Sequence, residues 1–205
     1  MAQGALIYPH EGHYGAGLQG MKDTCFFPGR AVQDAALTLF ARRLLLVLCV
    51  RYSPQDVFTV AQVDIKQLIR YSSATFRSSR SELVAAGYII PACHVSSRYP
   101  CYHFNEEPTL ELNRDICTQL LALESSRTAL AVFLFLYSRL SAGQTEQSVA
   151  EISERTAISH HTVFKMLKIL SDAGLIHIEQ QRDTRGLLMA NRYSIPGTAA
   201  ANYII

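Results

Sequence analysis

Late in the chain, five side chains suited to gripping a polyanion sit close together: His160, His161, Thr162, Lys165 and Lys168, with Ser159 just before them. On a helix they share the outward side, because residues three and four apart lie on one face. Imidazole, hydroxyl and ammonium groups donate hydrogen bonds to phosphates and to base edges. A second set lies earlier: Ser72, Ser73, Thr75, Arg77, Ser78 and Arg80, with Arg70 ahead of it and Ser79 and Ser81 interleaved. Its hydroxyls reach phosphates or bases, and its arginines bridge phosphates or fork onto guanine. Each set is followed by further cations, Arg98 after the earlier one and Arg182 and Arg185 after the later one. The plainer reading of either set is a solvated polar helix face.

Other chemistry is poorly supported. Cys93, His94, Cys101 and His103 invite a zinc proposal. Zinc ligands usually come as Cys-x-x-Cys and spaced His pairs, and this spacing matches neither. Packing cysteines and no metal are expected. Cys93 and Cys101 can also face each other across a hairpin, although a disulfide is unusual in a reducing compartment. There is no glycine-rich phosphate loop, serine nucleophile elbow or His-Glu-x-x-His helix. The acidic pair Glu106 and Glu107 has no partner cluster. Neither catalysis nor a cofactor is expected.

The elements that position the later set run from Ser148 to Ile178. Val149, Ile152 and Thr156 share one face of a short helix, and Ala157 and Ile158 seat a turn. Ser159 is suited to cap the next helix. Val163, Leu167 and Leu170, widened by Met166 and Ile169, make that helix's apolar stripe. Gly174 suits its left-handed terminus, and Leu175, Ile176 and Ile178 begin a strand. A shift of 87 positions superposes this pattern on the earlier set without a gap. Ile65 meets Ile152, Ser72 meets Ser159, Thr75 meets Thr162, Leu83 meets Leu170, Gly87 meets Gly174 and Ile89 meets Ile176. Each match carries the same physical role, so two copies of one supersecondary unit are expected. Upstream, a nearly all-apolar helix over Ala31–Tyr52 has its counterpart in Ala129–Leu140.

The segment AEISERTAISHHTVFKMLKILSDAGLI, with the hairpin-like Asn191-Arg192-Tyr193-Ser194-Ile195 after it, resembles the winged helix-turn-helix superfamily of bacterial regulators. The MarR-like and GntR-like groups belong to that superfamily. The resemblance implies a second helix laid in a DNA major groove. It places a wing tip at 180–185 and the wing's second strand at 186–195; the first copy's wing would be 89–104. The expected fold is mainly α with small β-hairpin wings, as tandem winged helix-turn-helix domains. The boundaries are a flexible arm over 1–29, a first domain over 30–105, a linker helix over 106–124, a second domain over 125–195 and a tail over 196–205.

Composition narrows the surroundings. The net charge is only +2, so a nucleic-acid surface must be local. Residues 30–108 carry nine Lys/Arg against six Asp/Glu, and residues 109–205 carry nine of each. In the later half Glu146, Glu151 and Glu154 precede the second helix, while bases sit on that helix and the wing. The opening MAQGALIYPHEG lacks the basic start and apolar core of a secretory leader, and no membrane span is expected. Five scattered cysteines suit a reducing cytoplasm. The expected partner is double-stranded DNA, in a cytoplasmic, nucleoid-associated protein. The Ala31–Tyr52 helix and the tail 199–205 present apolar surface, which either a homodimer covers or the two domains of one chain bury against each other as a pseudo-dimer. Three roles follow: a transcriptional regulator, a plasmid or phage replication initiator, or a scaffold resembling the tandem winged-helix partners of chromosome-condensation kleisins.

Overall fold

The structure is a computed structural model that describes residues 23–52, 57–60, 65, 69, 71–92, 100–105, 109–124, 126–182, 184–185 and 189–196. Its elements, in order, are β1 (Thr24–Pro28), a 3-10 turn (Gly29–Val32), α1 (Leu39–Arg51) and β2 (Phe58–Thr59). Then come α2 (Ser73–Ala85), β3 (Ile89–Pro91), β4 (Cys101–Phe104), β5 (Thr109–Asn113), α3 (Arg114–Ala122) and α4 (Ser126–Ser141). The chain closes with β6 (Glu146–Gln147), α5 (Val149–Thr156), α6 (His160–Asp172), β7 (His177–Glu179) and β8 (Asn191–Ser194). The described residues are mainly helical with small antiparallel sheets, as expected.

At the centre α1 packs against α4. Ala41 and Leu44, Leu45, Leu46 and Leu48 of α1 are fully buried, as are Ala129, Val132, Phe133 and Leu136 of α4. Burying a Leu or Phe side chain is worth about 1.5–3 kcal/mol, so this pairing supplies much of the folding energy. α1 has no polar face to leave in water. It is covered in turn by α2, α3 and β1. The apolar surface expected to drive a dimer is therefore buried within one chain, and α1 gives a dimer no support. The tail 199–205 lies outside the described residues.

Helix α1 starts at Leu39, not at Ala31. Asp34 and Thr38 redirect the chain, since short polar side chains compete with the helix for its backbone groups. Asp34 Oδ1 accepts from the Ala36 N–H at 2.9 Å, and the Arg42 guanidinium donates to the Asp34 carbonyl at 2.7 Å. Thr38 then caps α1, its hydroxyl accepting from the Ala41 N–H at 3.2 Å.

Two further expectations change for one reason. The arm over 1–29 ends in strand β1, and the linker helix over 106–124 is a strand, β5, followed by α3. β1 and β5 pair antiparallel, from Thr24 opposite Asn113 to Pro28 opposite Thr109. Alternation of buried Cys25 and Phe27 with half-buried Thr24 and Phe26 is a strand pattern. The partners lie so far apart in sequence that neither segment reads as paired by itself. Asn113 ends β5 and caps α3, its Oδ1 accepting from the Asp115 and Ile116 N–H groups at 2.8 and 3.2 Å. Behind the ribbon, the Cys25 and Cys117 sulfurs lie 3.5 Å apart in the core.

Arginines close three helices at their carbonyl ends. Arg30 donates to Ala86 O at the end of α2, Arg43 to Leu121 O of α3 and Arg114 to Val50 O of α1. Cations belong there, because the last carbonyls lack intrahelical partners and carry the negative end of the macrodipole. Arg42 and Arg43, which break the apolar run in the sequence, thus reach backbone oxygens from inside the core.

The internal repeat holds at the level of single hydrogen bonds. α1 begins at Leu39 and α4 at Ser126, 87 positions apart. Both later sheets have the order in which the last strand is central, β2-β4-β3 and β6-β8-β7. At the end of α2, the Tyr88 N–H donates to Leu83 O and the Gly87 N–H to Val84 O; at the end of α6, Leu175 donates to Leu170 O and Gly174 to Ser171 O. These are two copies of one Schellman motif. Its left-handed residues are Gly87 at φ +73° and Gly174 at φ +68°. A Cβ at either glycine would meet nothing within 4 Å, so the cost of substitution is backbone strain alone. Gly87→Ala and Gly174→Ala should each lower stability by about 1 kcal/mol, equally within error, in urea denaturation. A markedly unequal pair of losses would contradict the equivalence of the two ends.

Candidate nucleic-acid interface

Helix α6 follows α5 after a tight turn. Ala157 takes the left-handed conformation there, at φ 56° and ψ 32°. The Ile158 N–H donates to Ser153 O at 3.2 Å, and the Ser153 hydroxyl donates to Ile158 O at 2.7 Å. Ser153 thus staples the corner from both sides. Ile152, Ile158, Val163, Met166, Leu167 and Leu170 are buried beneath it, which fixes which side of α6 faces out.

Ser159 caps α6, accepting from the Thr162 N–H at 3.4 Å, and the two hydroxyls lie 2.8 Å apart. Both are partly used in holding the helix start. His160, His161, Lys165 and Lys168 are exposed and Thr162 is half-buried. Lys168 pairs with Asp172 at 3.6 Å, one turn on. That pair is largely exposed and holds the lysine weakly. Arg182 and Arg185 are exposed on the following segment. The strand behind them is shorter than expected: β8 begins at Asn191, and residues 186–188 lie outside the described residues. β8 is tied at its base, where Arg192 meets Glu146 at 3.1 Å and stands opposite both Glu146 and Glu179 across the sheet.

The earlier set sits on α2 in the same way. Ser72 caps it, accepting from the Thr75 N–H at 3.1 Å, and its hydroxyl lies 2.9 Å from that of Thr75. Arg77 and Ser78 are exposed, and Ser73, Thr75 and Arg80 are half-buried. Ser78 donates to Glu82 Oε1 at 3.4 Å. Glu82 also accepts from the N–H and hydroxyl of Thr38, joining α2 to the start of α1. Ser79 is buried, at 1 % exposure, and leaves the outward set. It stands where Met166 stands in α6, facing the core. Arg70 and Arg98 lie outside the described residues, as do Cys93 and His94.

One surface residue escaped the sequence reading. Phe164 is 60 % exposed, on the same side of α6 as His161, Lys165 and Lys168. The signal was present, because 161, 164, 165 and 168 follow the i, i+3, i+4, i+7 spacing of one face. Taken together, α6 offers donors, cations and an aromatic ring along a helix of thirteen residues, about 20 Å long. Within α6 the one acid is Asp172, its last residue. Such a face can hold phosphates and touch base edges.

Both helix starts rest on one serine each. Ser72→Ala and Ser159→Ala should cost about 1 kcal/mol apiece, and Asp at either position should restore the loss. Thermal unfolding in which the alanine variants match the parent would contradict the capping role.

Compared with protein families, with curated proteins and with solved structures, the chain finds no match.

Proposed function

We propose that this protein binds double-stranded DNA in a sequence-specific manner, through two winged helix-turn-helix units in tandem, and acts as a transcriptional regulator. One observation carries the reading. Two units with the same strand order, serine caps and glycine-closed helix ends each turn the outward side of their second helix to solvent, and both outward sides carry polar and basic groups. In this reading α2 and α6 enter major grooves, and the hairpins β3–β4 and β7–β8 lie along the backbone. Ser72, Ser73, Thr75, Arg77, Ser78 and Arg80 act in the first unit, flanked by Arg70 and Arg98. Ser159, His160, His161, Thr162, Lys165 and Lys168 act in the second, with Arg182 and Arg185 on its wing.

A replication-initiator role is the second reading. Its support is that α1 and α4 join both units in one core, so a single chain carries a complete pair. A regulator would select sites at promoters, and an initiator would select repeated sites at an origin. A scaffold is the third reading; the apolar helices that recommended it, α1 and α4, pack against each other. Among the described residues, no helix is long and apolar enough to cross a membrane.

Phosphate contacts release counterions, so affinity for duplex DNA should fall steeply with salt. Four contacts by Lys165, Lys168, Arg182 and Arg185 correspond to a slope of about −3 to −4 in log K against log salt. Fluorescence anisotropy with a labelled duplex measures it. A slope near zero, or no binding at low salt, would sink the proposal.

A further inference from the structure

The two second helices share their caps, their glycine ends and three buried positions, but not their outward chemistry. From Ser72 to Ala85 against Ser159 to Asp172, three buried positions coincide, Phe76 with Val163, Ser79 with Met166 and Leu83 with Leu170, while buried Leu167 stands where α2 has half-buried Arg80. Besides the capping serines and the last residues, four exposed positions coincide too, where Ala74, Arg77, Ser78 and Ser81 of α2 match His161, Phe164, Lys165 and Lys168 of α6. At the middle of each outward face, an arginine in one unit is therefore replaced by an exposed phenylalanine in the other.

These two side chains cannot read the same base. A guanidinium forks onto the O6 and N7 acceptors of guanine. A phenyl ring has no hydrogen-bonding group, and the one apolar group on a major-groove base edge is the thymine 5-methyl. Leaving Phe164 in water forgoes its transfer energy. The ammonium groups of Lys165 and Lys168 on the same face, with the hydrogen-bonding ring of His161, favour a polyanion over an apolar protein surface as the occupant.

We propose that one chain reads an asymmetric, two-part DNA site, with guanine recognised by Arg77 in one half and the thymine methyl recognised by Phe164 in the other. The inference rests on the DNA-binding reading and goes beyond it by naming what each half prefers. It also predicts that the bound sequence is not a palindrome, since the two reading heads are covalently joined and unlike.

The test has two steps. The intact protein first selects binders from a randomised duplex pool. The selected duplex is then remade with deoxyuridine in place of each thymine in turn, which removes only the 5-methyl group. At one thymine position, the wild type should lose about fourfold in affinity, the worth of one buried methyl, and Phe164→Ala should show no loss on the same change. Arg77→Ala should lose tenfold or more of its preference for guanine in the other half, with the thymine preference intact. Both positions are exposed, and matching thermal melts of the variants verify that the fold is kept. Two identical selected half-sites, or wild-type binding indifferent to every uracil, would overturn the inference while leaving DNA binding in place. Failure to enrich any sequence from the pool would overturn the DNA reading along with it.

Discussion

Everything in this fold follows from two helices that have no side to show to water. Leu44 to Leu48 in α1 and Ala129 to Leu136 in α4 are buried around the whole helix. A helix of that kind must be covered on every flank. Each covers part of the other, and the remainder falls to α2, α3 and the β1–β5 ribbon around α1, and to α5 and α6 around α4. The second helix of each unit is thus pressed inward along one stripe and left free along the opposite side. The position of the candidate interface is a consequence of what the core demands.

Polar groups within this arrangement are placed where the backbone needs them. Serines cap both second helices, glycines close both, and arginines from neighbouring elements satisfy the carbonyl ends of α1, α2 and α3. Asp34 shows how such ties act together. It accepts from the Tyr88 hydroxyl at 2.7 Å, and that bond, aided by the Ala36 N–H and the nearby Arg30 and Arg42, holds its carboxyl below the usual range. Tyr88 follows the glycine that ends α2, so one carboxylate links the approach to α1 with the end of α2.

Much of this was legible in the sequence, and the limits have physical causes. Periodicity and capping residues marked α2, α5 and α6, because those signals are local to each helix. The shift of 87 positions survived in the structure down to paired hydrogen bonds, since Ser72 and Ser159, or Gly87 and Gly174, do the same job in the same place. The β1–β5 ribbon was not legible, as strand pairing depends on a partner distant in the chain. The early part of the Ala31–Tyr52 helix was misread because apolar content there outweighed Asp34 and Thr38. Phe164 was missed for a related reason: it reads as one more apolar residue in an apolar stripe, and only its angular position on α6 sets it outside.

Lysine footprinting tests the central claim most directly. The chain has four lysines, and two of them, Lys165 and Lys168, stand on the outward face of α6. Acylation of the intact protein with a small amine-reactive ester is read residue by residue by mass spectrometry, with and without bound duplex DNA. The account predicts that saturating DNA lowers modification of Lys165 and Lys168 severalfold, because ammonium groups held against phosphate are shielded. Equal modification of both lysines in the free and DNA-saturated protein would contradict it.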